Sequence, residues 1–255
     1  MLAAITRAVS PCIGDCQLTF ISREAIDFSK AVRQLQAYEA CLSRLGVKLV
    51  SLPPEARLPD AVFVEDTAVV VDEIALIPRM GLEKRQSETR SSAALLSRFR
   101  PLTFLNRQTT LEGGDVMRID RTLYAGASGR TNRDGIAELA KVLARYDYQV
   151  RSVAVNKCLH LKTGCSYLGR GTILANRGWI DAEALNDFEI IDVPPTEPWA
   201  ANVLLIDDVV VLPTYFPETR ALLEARGFRV CTTDISEFQK AEGGLTCLSI
   251  IFKDV

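Results

Sequence analysis

Histidine is almost absent from this chain: among 255 residues there is one, His160. Any chemistry needing a side chain that gives and takes a proton near neutral pH through imidazole therefore has a single candidate. A lone histidine also serves as a hydrogen-bonded structural residue, and position alone leaves both roles open. A zinc site would need an unusual ligand set with so little histidine, and the seven cysteines contain no Cys-x-x-Cys pair, so no metal is expected. Their odd number and scattered spacing argue against a disulfide framework and suit a cytoplasmic address. No excess of charge is present either. Thirty basic residues face thirty-two acidic ones, without a block of one sign, which disfavours a nucleic-acid partner bound through phosphate neutralisation. Long hydrophobic runs are missing: Thr67–Val71 and Val203–Ile206 are far too short to cross a bilayer. The first residues, Met1 to Arg7, lack the charged start and apolar stretch of a signal peptide.

What is present is a repeated pattern. Apolar, β-branched segments pair across polar turns: Ala61–Val71 with Ile74–Pro78, Val116–Ile119 with Leu123–Gly126, Ser166–Leu168 with Thr172–Ala175, and Asn202–Ile206 with Val209–Pro213. Asp or Gly occupies each turn, as hairpins require. A helical stretch and one more strand follow each pair. Ser87–Phe99 leads to Leu102–Leu105, Arg133–Tyr146 to Gln149–Val155, Asp181–Phe188 to Glu189–Val193, and Glu218–Arg226 to Phe228–Thr232. Near the start, Asp27–Leu45 carries Ala31, Val32, Leu35, Tyr38, Leu42 and Leu45 at helical spacing and precedes Val47–Leu52. The unit is strand-strand-helix-strand, repeated about five times at the length usual for repeat architectures. Leu248–Phe252 pairing with Leu2–Val9 would close the array into a ring and protect its sheet edges. A doubly wound α/β sheet is the alternative, less apt because the paired strands read as hairpins.

A ring has an axis, and the segments that would reach it are chemically distinct. They carry Asp66, Glu112-Gly113-Gly114-Asp115, His160 to Gly164, and Gly243 to Cys247. Cys247 is the candidate nucleophile; its thiolate would be the attacking form, and two glycines before it permit close backbone approach. Packing in a core strand is the competing role. Glu112 suits a carboxylate that orients and charge-stabilises an imidazole. Within Asp60-Ala61-Val62-Phe63-Val64-Glu65-Asp66, Asp60 and Asp66 share a face if the segment is extended. Acids so placed would bind a planar guanidinium through paired N–H bonds, with Phe63 as an apolar or cation–π wall. Arg79, Lys84, Arg85, Arg90 and Arg130 include candidates for a substrate carboxylate, and spacing does not choose among them.

In order and spacing, Leu52-Pro53-Pro54, Pro59 to Asp66, Arg79-Met80-Gly81 through Arg85 and Glu88, Glu112 to Asp115, Arg130-Thr131-Asn132, Leu159 to Gly164 and Gly243-Gly244-Leu245-Thr246-Cys247 resemble the dimethylarginine dimethylaminohydrolase family of the guanidino-group modifying superfamily. The resemblance runs over nearly the whole chain. It implies a five-bladed α/β propeller of ββαβ units with a central active-site channel, and residues 1–255 as one catalytic domain. It also implies Cys247 as nucleophile, His160 as general acid/base and Glu112 as its orienting carboxylate. Asp66, with Asp60 and Glu65, would receive the guanidinium and amino ends of the substrate, and Arg85 and Arg130 its α-carboxylate. Leu18 matches the lid residue. Ala241 stands where the family has a larger β-branched residue making backbone contact, which alters pocket packing. The implied reaction converts asymmetric dimethylarginine or monomethylarginine to citrulline and dimethylamine or methylamine through a thiouronium adduct, without metal or organic cofactor. The partner is then a small guanidino amino acid, with no nucleic acid or membrane, and a homodimer is left open. The alternatives are arginine deiminase or another guanidino-modifying hydrolase, and, more distantly, a non-catalytic propeller binding protein.

Overall fold

The structure is a computed structural model that describes residues 1–106 and 108–254. Fifteen strands form five three-stranded sheets among the described residues. The first sheet joins the two ends of the chain: β15 (Ile250–Lys253) lies antiparallel to β1 (Leu2–Arg7), which runs parallel to β2 (Lys48–Leu52). The other four are consecutive. They are β3 (Val69–Val70), β4 (Ala75–Ile77) and β5 (Leu102–Phe104); β6 (Val116–Ile119), β7 (Thr122–Ala127) and β8 (Gln149–Ala154); β9 (Cys165–Gly169), β10 (Thr172–Ala175) and β11 (Glu189–Asp192); and β12 (Leu204–Ile206), β13 (Val209–Pro213) and β14 (Arg229–Thr233). In every sheet the middle strand is antiparallel to its inner neighbour and parallel to its outer one. This is a five-bladed α/β propeller, closed by β1–β15 pairing as the sequence predicts.

Local chemistry explains the elements. Helix α1 (Phe28–Arg44) starts where the Asp27 side chain accepts the Lys30 N–H at 2.9 Å, and it buries Ala31, Leu35, Tyr38, Cys41 and Leu42 on one face. Helices α2 (Thr89–Leu96), α3 (Arg133–Leu143) and α5 (Pro217–Ala225) bridge the middle and outer strands of their blades, whereas α4 (Leu161–Gly164) and α6 (Ser236–Gln239) are single turns between blades. Two hairpins turn at Asp120 and Asp207, both with φ near +52°, a conformation aspartate tolerates better than most residues. No helix among the described residues is long and apolar enough to cross a membrane.

Two expectations fail locally. Residues 61–68 are not a strand: turns lead into a 3-10 helix over Val64–Thr67, and only Val69–Val70 pairs with β4. The helix expected over 181–188 shrinks to a 3-10 turn at Ala182–Leu185, capped by Asp181.

The topology decides where function can gather. Middle and outer strands of each blade are parallel, so both end on the same side of the ring. Outer-strand-to-next-blade connections carry Asp60 to Asp66, Glu112, His160 and Cys247, and middle-strand-to-helix connections carry Leu18, Arg85 and Arg130. All seven candidate segments therefore emerge at one end. Residues of the inner strands β3, β6, β9, β12 and β15 line a central channel of about 450 Å³.

Candidate active site

A small cavity at the shared end is lined by Gln17, Asp60, Phe63, Asp66, Arg85, Arg130, Leu159, His160, Ala241, Glu242, Gly243 and Cys247. Its free volume is about 10 Å³, room for roughly one water. The cavity is a separate space that adjoins the propeller channel across a thin partition. Glu65, Lys162 and Thr246 line the channel, while their sequence neighbours Asp66, His160 and Cys247 line the cavity. Three connections form the partition and send alternate side chains to its two sides. Glu65 accordingly does not face the ligand cavity. Its carboxylate pairs with Lys162 and accepts the Thr246 hydroxyl at 2.6 Å, tying the segment before Cys247 to the segment after His160. Asn202 reinforces that tie, donating to the Lys162 carbonyl at 2.7 Å and accepting the Thr246 N–H at 3.1 Å.

His160 is buried, with Nε2 2.7 Å from Glu112 Oε2 and Nδ1 3.8 Å from Asp66 Oδ1. Burial opposes its charge, but Asp66, Asp115 and Glu112 outweigh that penalty and push its pKa up to about 9. The resting ring is an imidazolium at neutral pH, and Nδ1–H is the proton not held by Glu112. The other Glu112 oxygen accepts the Gly81 N–H at 3.0 Å, which fixes the carboxylate in turn. Asp115 lies behind the histidine, accepting the Leu161 N–H at 2.9 Å and the Ser128 hydroxyl at 2.6 Å. Burial raises its pKa to about 6, with His160 pulling the other way. Gly114 separates these groups. A Cβ there would lie 2.6 Å from Asp66 Oδ1 and 2.7 Å from His160 Nδ1, so only glycine allows the approach.

Cys247 sits on the 3-10 turn Thr246–Leu248, and its sulfur accepts the Gly244 N–H at 3.4 Å. Burial, then the Glu65 and Asp66 charges, push its pKa up to about 12, so the resting group is a neutral thiol. Asp66 keeps its charge: burial opposes it, but His160 and Arg85 hold the carboxyl below its usual range.

The arginines differ. Arg85 is buried and already committed, donating to Asp66 at 2.9 Å and twice through its Nε to Glu88 at 3.2 Å. Arg130 donates to the Thr19 hydroxyl at 3.3 Å, while its buried Nη1 has no hydrogen-bond partner among the described residues. That nitrogen lies 3.8 Å from Glu112 Oε1, an ion-pair contact too long for a hydrogen bond, so it can still take an acceptor. Asp60 lines the cavity and accepts the Gln17 N–H at 3.1 Å; burial raises its pKa. Phe63 forms an apolar wall, edge-on to Phe238, and Ala241 completes it. Leu18 is half-buried against the core cluster containing Phe63, Ala241 and Cys247. Sequence reasoning missed the roles of Glu88, Asn202 and Glu242. Glu88 was findable as the carboxylate three residues after Arg85; the other two have no local signal.

Asp66, Glu112 and His160 each offer a ligand atom within 4.8 Å of the others, a spacing a metal ion can use. Arg85, 2.9 Å from Asp66 and 3.8 Å from Glu112, already supplies those acids with positive charge, and the histidine adds a second.

A five-bladed α/β propeller with a cysteine, an acid-held imidazolium and arginines closing one end defines a pentein. The family described as N,N dimethylarginine dimethylhydrolase, eukaryotic, matches residues 15–252. This chain belongs to the dimethylarginine dimethylaminohydrolase family. It is 36% identical to the dimethylarginine dimethylaminohydrolase of Pseudomonas aeruginosa over 228 residues, 89% of this chain and 90% of that one. Identity to the Streptomyces coelicolor enzyme of the same name is 34%, over 99% and 97% of the two chains. A solved structure of the Pseudomonas aeruginosa protein, a cysteine-to-serine mutant complexed with citrulline, matches with a TM-score of 0.93 at 33% identity, over 98% of each chain.

Proposed function

We propose that this chain hydrolyses Nω-methylated arginines to citrulline and an alkylamine, with Cys247, His160 and Glu112 as the reacting and orienting groups and residues 1–255 as one catalytic domain. The observation that carries the reading is one small cavity lined by Cys247 and by His160, whose Nε2 lies 2.7 Å from Glu112 Oε2; burial and the nearby carboxylates favour a charged ring beside a neutral thiol. Such a pair does not attack unaided. A guanidinium entering beside Cys247 supplies the positive charge that the acids deny the sulfur, and the thiol proton is released on binding. The sulfur then bonds to the guanidinium carbon. His160 gives its Nδ1 proton to the departing methylamine nitrogen as that C–N bond breaks, leaving a cationic thiouronium and a neutral imidazole. Water attacks the same carbon and gives one proton to His160. The C–S bond breaks to release citrulline, and the remaining proton returns to the thiolate or the amine. Splitting one substitution into two steps is the benefit of the covalent route.

Arg130 Nη1 takes one oxygen of the substrate carboxylate, Asp60 takes the α-ammonium, and Asp66 takes guanidinium N–H groups; Arg85 positions Asp66 and adds to the positive field. Phe63 and Ala241 bound the aliphatic chain. The citrulline complex of the Pseudomonas aeruginosa relative supports the product. The test is citrulline release from purified protein given asymmetric dimethylarginine, with monomethylarginine, arginine and Cys247→Ser in parallel. Turnover of methylated substrate, abolished in the variant, is the expected result; turnover of arginine alone would reassign the chain to a deiminase, and no product would overturn the reading.

A further inference from the structure

Residues 16–27, between β1 and α1, cover the cavity, and little apolar packing holds them there. Cys16 is buried and Leu18 and Ile26 are half-buried against the core, but Phe20 is 46% exposed and Arg23 and Glu24 are exposed. On the far side of the segment, an open space of about 280 Å³ separates Ile21 and Glu24 from Trp199, Tyr215, Phe216 and Ile235. Polar contacts do the holding instead. The Gln17 N–H reaches Asp60, and the Thr19 hydroxyl meets Arg130. Arg23 donates only to Cys16 in the same stretch and to Gly14 just before it. The largest contact is Glu242, whose carboxylate accepts three consecutive backbone N–H groups: Thr19 at 2.8 Å, Phe20, and Ile21 at 3.0 Å.

These anchors are not equivalent. In the reaction proposed above, Asp60 and Arg130 turn to the substrate, so their bonds to the covering segment are exchanged on binding. Glu242 has no such second duty, and the other lasting ties, the Asp27 N–H to Glu237 at 2.9 Å and Lys240 Nζ to the Ala25 carbonyl at 3.1 Å, hold only the end of the segment next to α1. The backbone setting of Glu242 is also unusual. It follows α6 with φ +59°, its N–H bonded to the Gln239 carbonyl at 3.0 Å, a helix-ending position normally filled by glycine or asparagine. Glutamate is a poor choice for that turn, so the turn itself does not explain the residue; what the side chain reaches does.

We propose that Glu242 is the latch of the lid: a positioning residue whose carboxylate gathers the amides of residues 19–21 and holds the segment closed over Cys247 and His160. Closure by this route survives the arrival of substrate, sets Leu18 against the ligand and keeps bulk water from the thiouronium until hydrolysis. The consequence for turnover rests on the proposed reaction; the latch itself does not.

Hydrogen exchange read by mass spectrometry, thermal melting and citrulline assays on the full chain, Glu242→Gln and Glu242→Gly test it. Glutamine keeps the size but not the charge or the acceptor capacity, and glycine relieves the positive φ. In both variants, peptides spanning 17–23 should exchange about tenfold faster or more, with α1 and the blade strands unchanged. Glu242→Gly should melt at or above the temperature of the unmodified chain, because glycine suits the turn. KM for asymmetric dimethylarginine should rise about tenfold, with kcat changed less than about threefold. Unchanged exchange at 17–23 would overturn the latch, as would faster exchange throughout with lowered melting in both variants, the mark of a merely structural cap. Local lid opening with unchanged KM would overturn the positioning role. Faster lid exchange in chains that all lack turnover would support the latch and sink the reaction.

Discussion

His160 tests the electrostatics of the site without any problem of assignment, because no second imidazole exists in the chain. Its pKa stands at about 9 in the folded protein against an ordinary 6.5, although burial alone would have lowered it. At 1.36 kcal/mol per pH unit, the 2.5-unit gap corresponds to about 3 kcal/mol of preference for the charged ring, the joint effect of Asp66, Asp115 and Glu112. Because the folded value lies above the unfolded one, this contribution is complete below pH 6.5 and is lost as pH rises through about 9. Glu112→Gln removes the partner at 2.7 Å and replaces a charge-assisted bond by a neutral one. Charged hydrogen bonds contribute about 1.5–3 kcal/mol, so the histidine pKa should fall by about one to two units in the variant. The assay is the imidazole Cε1 proton resonance followed by NMR from about pH 5.5 to about pH 10 in both proteins, a window bracketing both values. A folded-state midpoint near 6.5 in the unmodified chain would refute the imidazolium, and with it the claim that His160 enters the reaction as an acid. A raised midpoint that Glu112→Gln leaves in place would instead refute Glu112 as a main partner.

Cys247 should alkylate slowly with iodoacetamide at neutral pH, and its rate, read on the Cys247 peptide, should keep rising up to the alkaline limit of folding, since the thiol pKa is about 12; a plateau near the ordinary free-thiol value of about 8.5 would contradict this. A cationic, non-reacting guanidine should accelerate the same labelling if substrate charge activates the sulfur. Gly114→Ala should force Asp66 and His160 apart, given contacts of 2.6 and 2.7 Å, with a stability loss of about 1–3 kcal/mol by denaturant titration and a larger loss of turnover; a neutral effect would mean the backbone there yields freely. Lys162→Met leaves the partly buried Glu65 without its cation in the partition below the site, and should cost about 1–3 kcal/mol, between the exposed and fully buried limits for an ion pair. Glu65→Gln in the same chain should recover part of that loss, and failure to do so would show the pair is not what binds the two segments.

Much of this architecture is legible in the sequence for a simple reason: hairpin turns and helix faces are local. Asp120, Asp207 and Asp27 mark their elements by side-chain chemistry that needs nothing distant. The ring closure also follows, because a terminal strand with unpaired edges at both ends of the chain has only one economical partner. Where local chemistry is weak the reading slips. Asp60 to Asp66 looks like a strand because its apolar residues are β-branched or aromatic, yet Val62, Phe63 and Val64 are buried by three-dimensional packing between blades rather than by sheet pairing.

The family resemblance carried by the motifs pointed to His160, Glu112, Cys247, Asp66 and Arg130, and the repeat puts each of them on a connection at one end of the ring. Neither gave the direction of each side chain. Glu65 and Asp66 are adjacent, but one faces the channel and the other the cavity, and a turn lacks the fixed alternation that would have foretold it. The same holds for Glu88 capturing Arg85 and for Glu242 reaching across 221 to 223 residues to the lid. The chain by itself determined which groups stand at one end of the propeller, through repeating local rules. Only the closed tertiary structure decided which of them face each other, because burial and charge at the axis depend on five connections meeting from opposite sides of the ring.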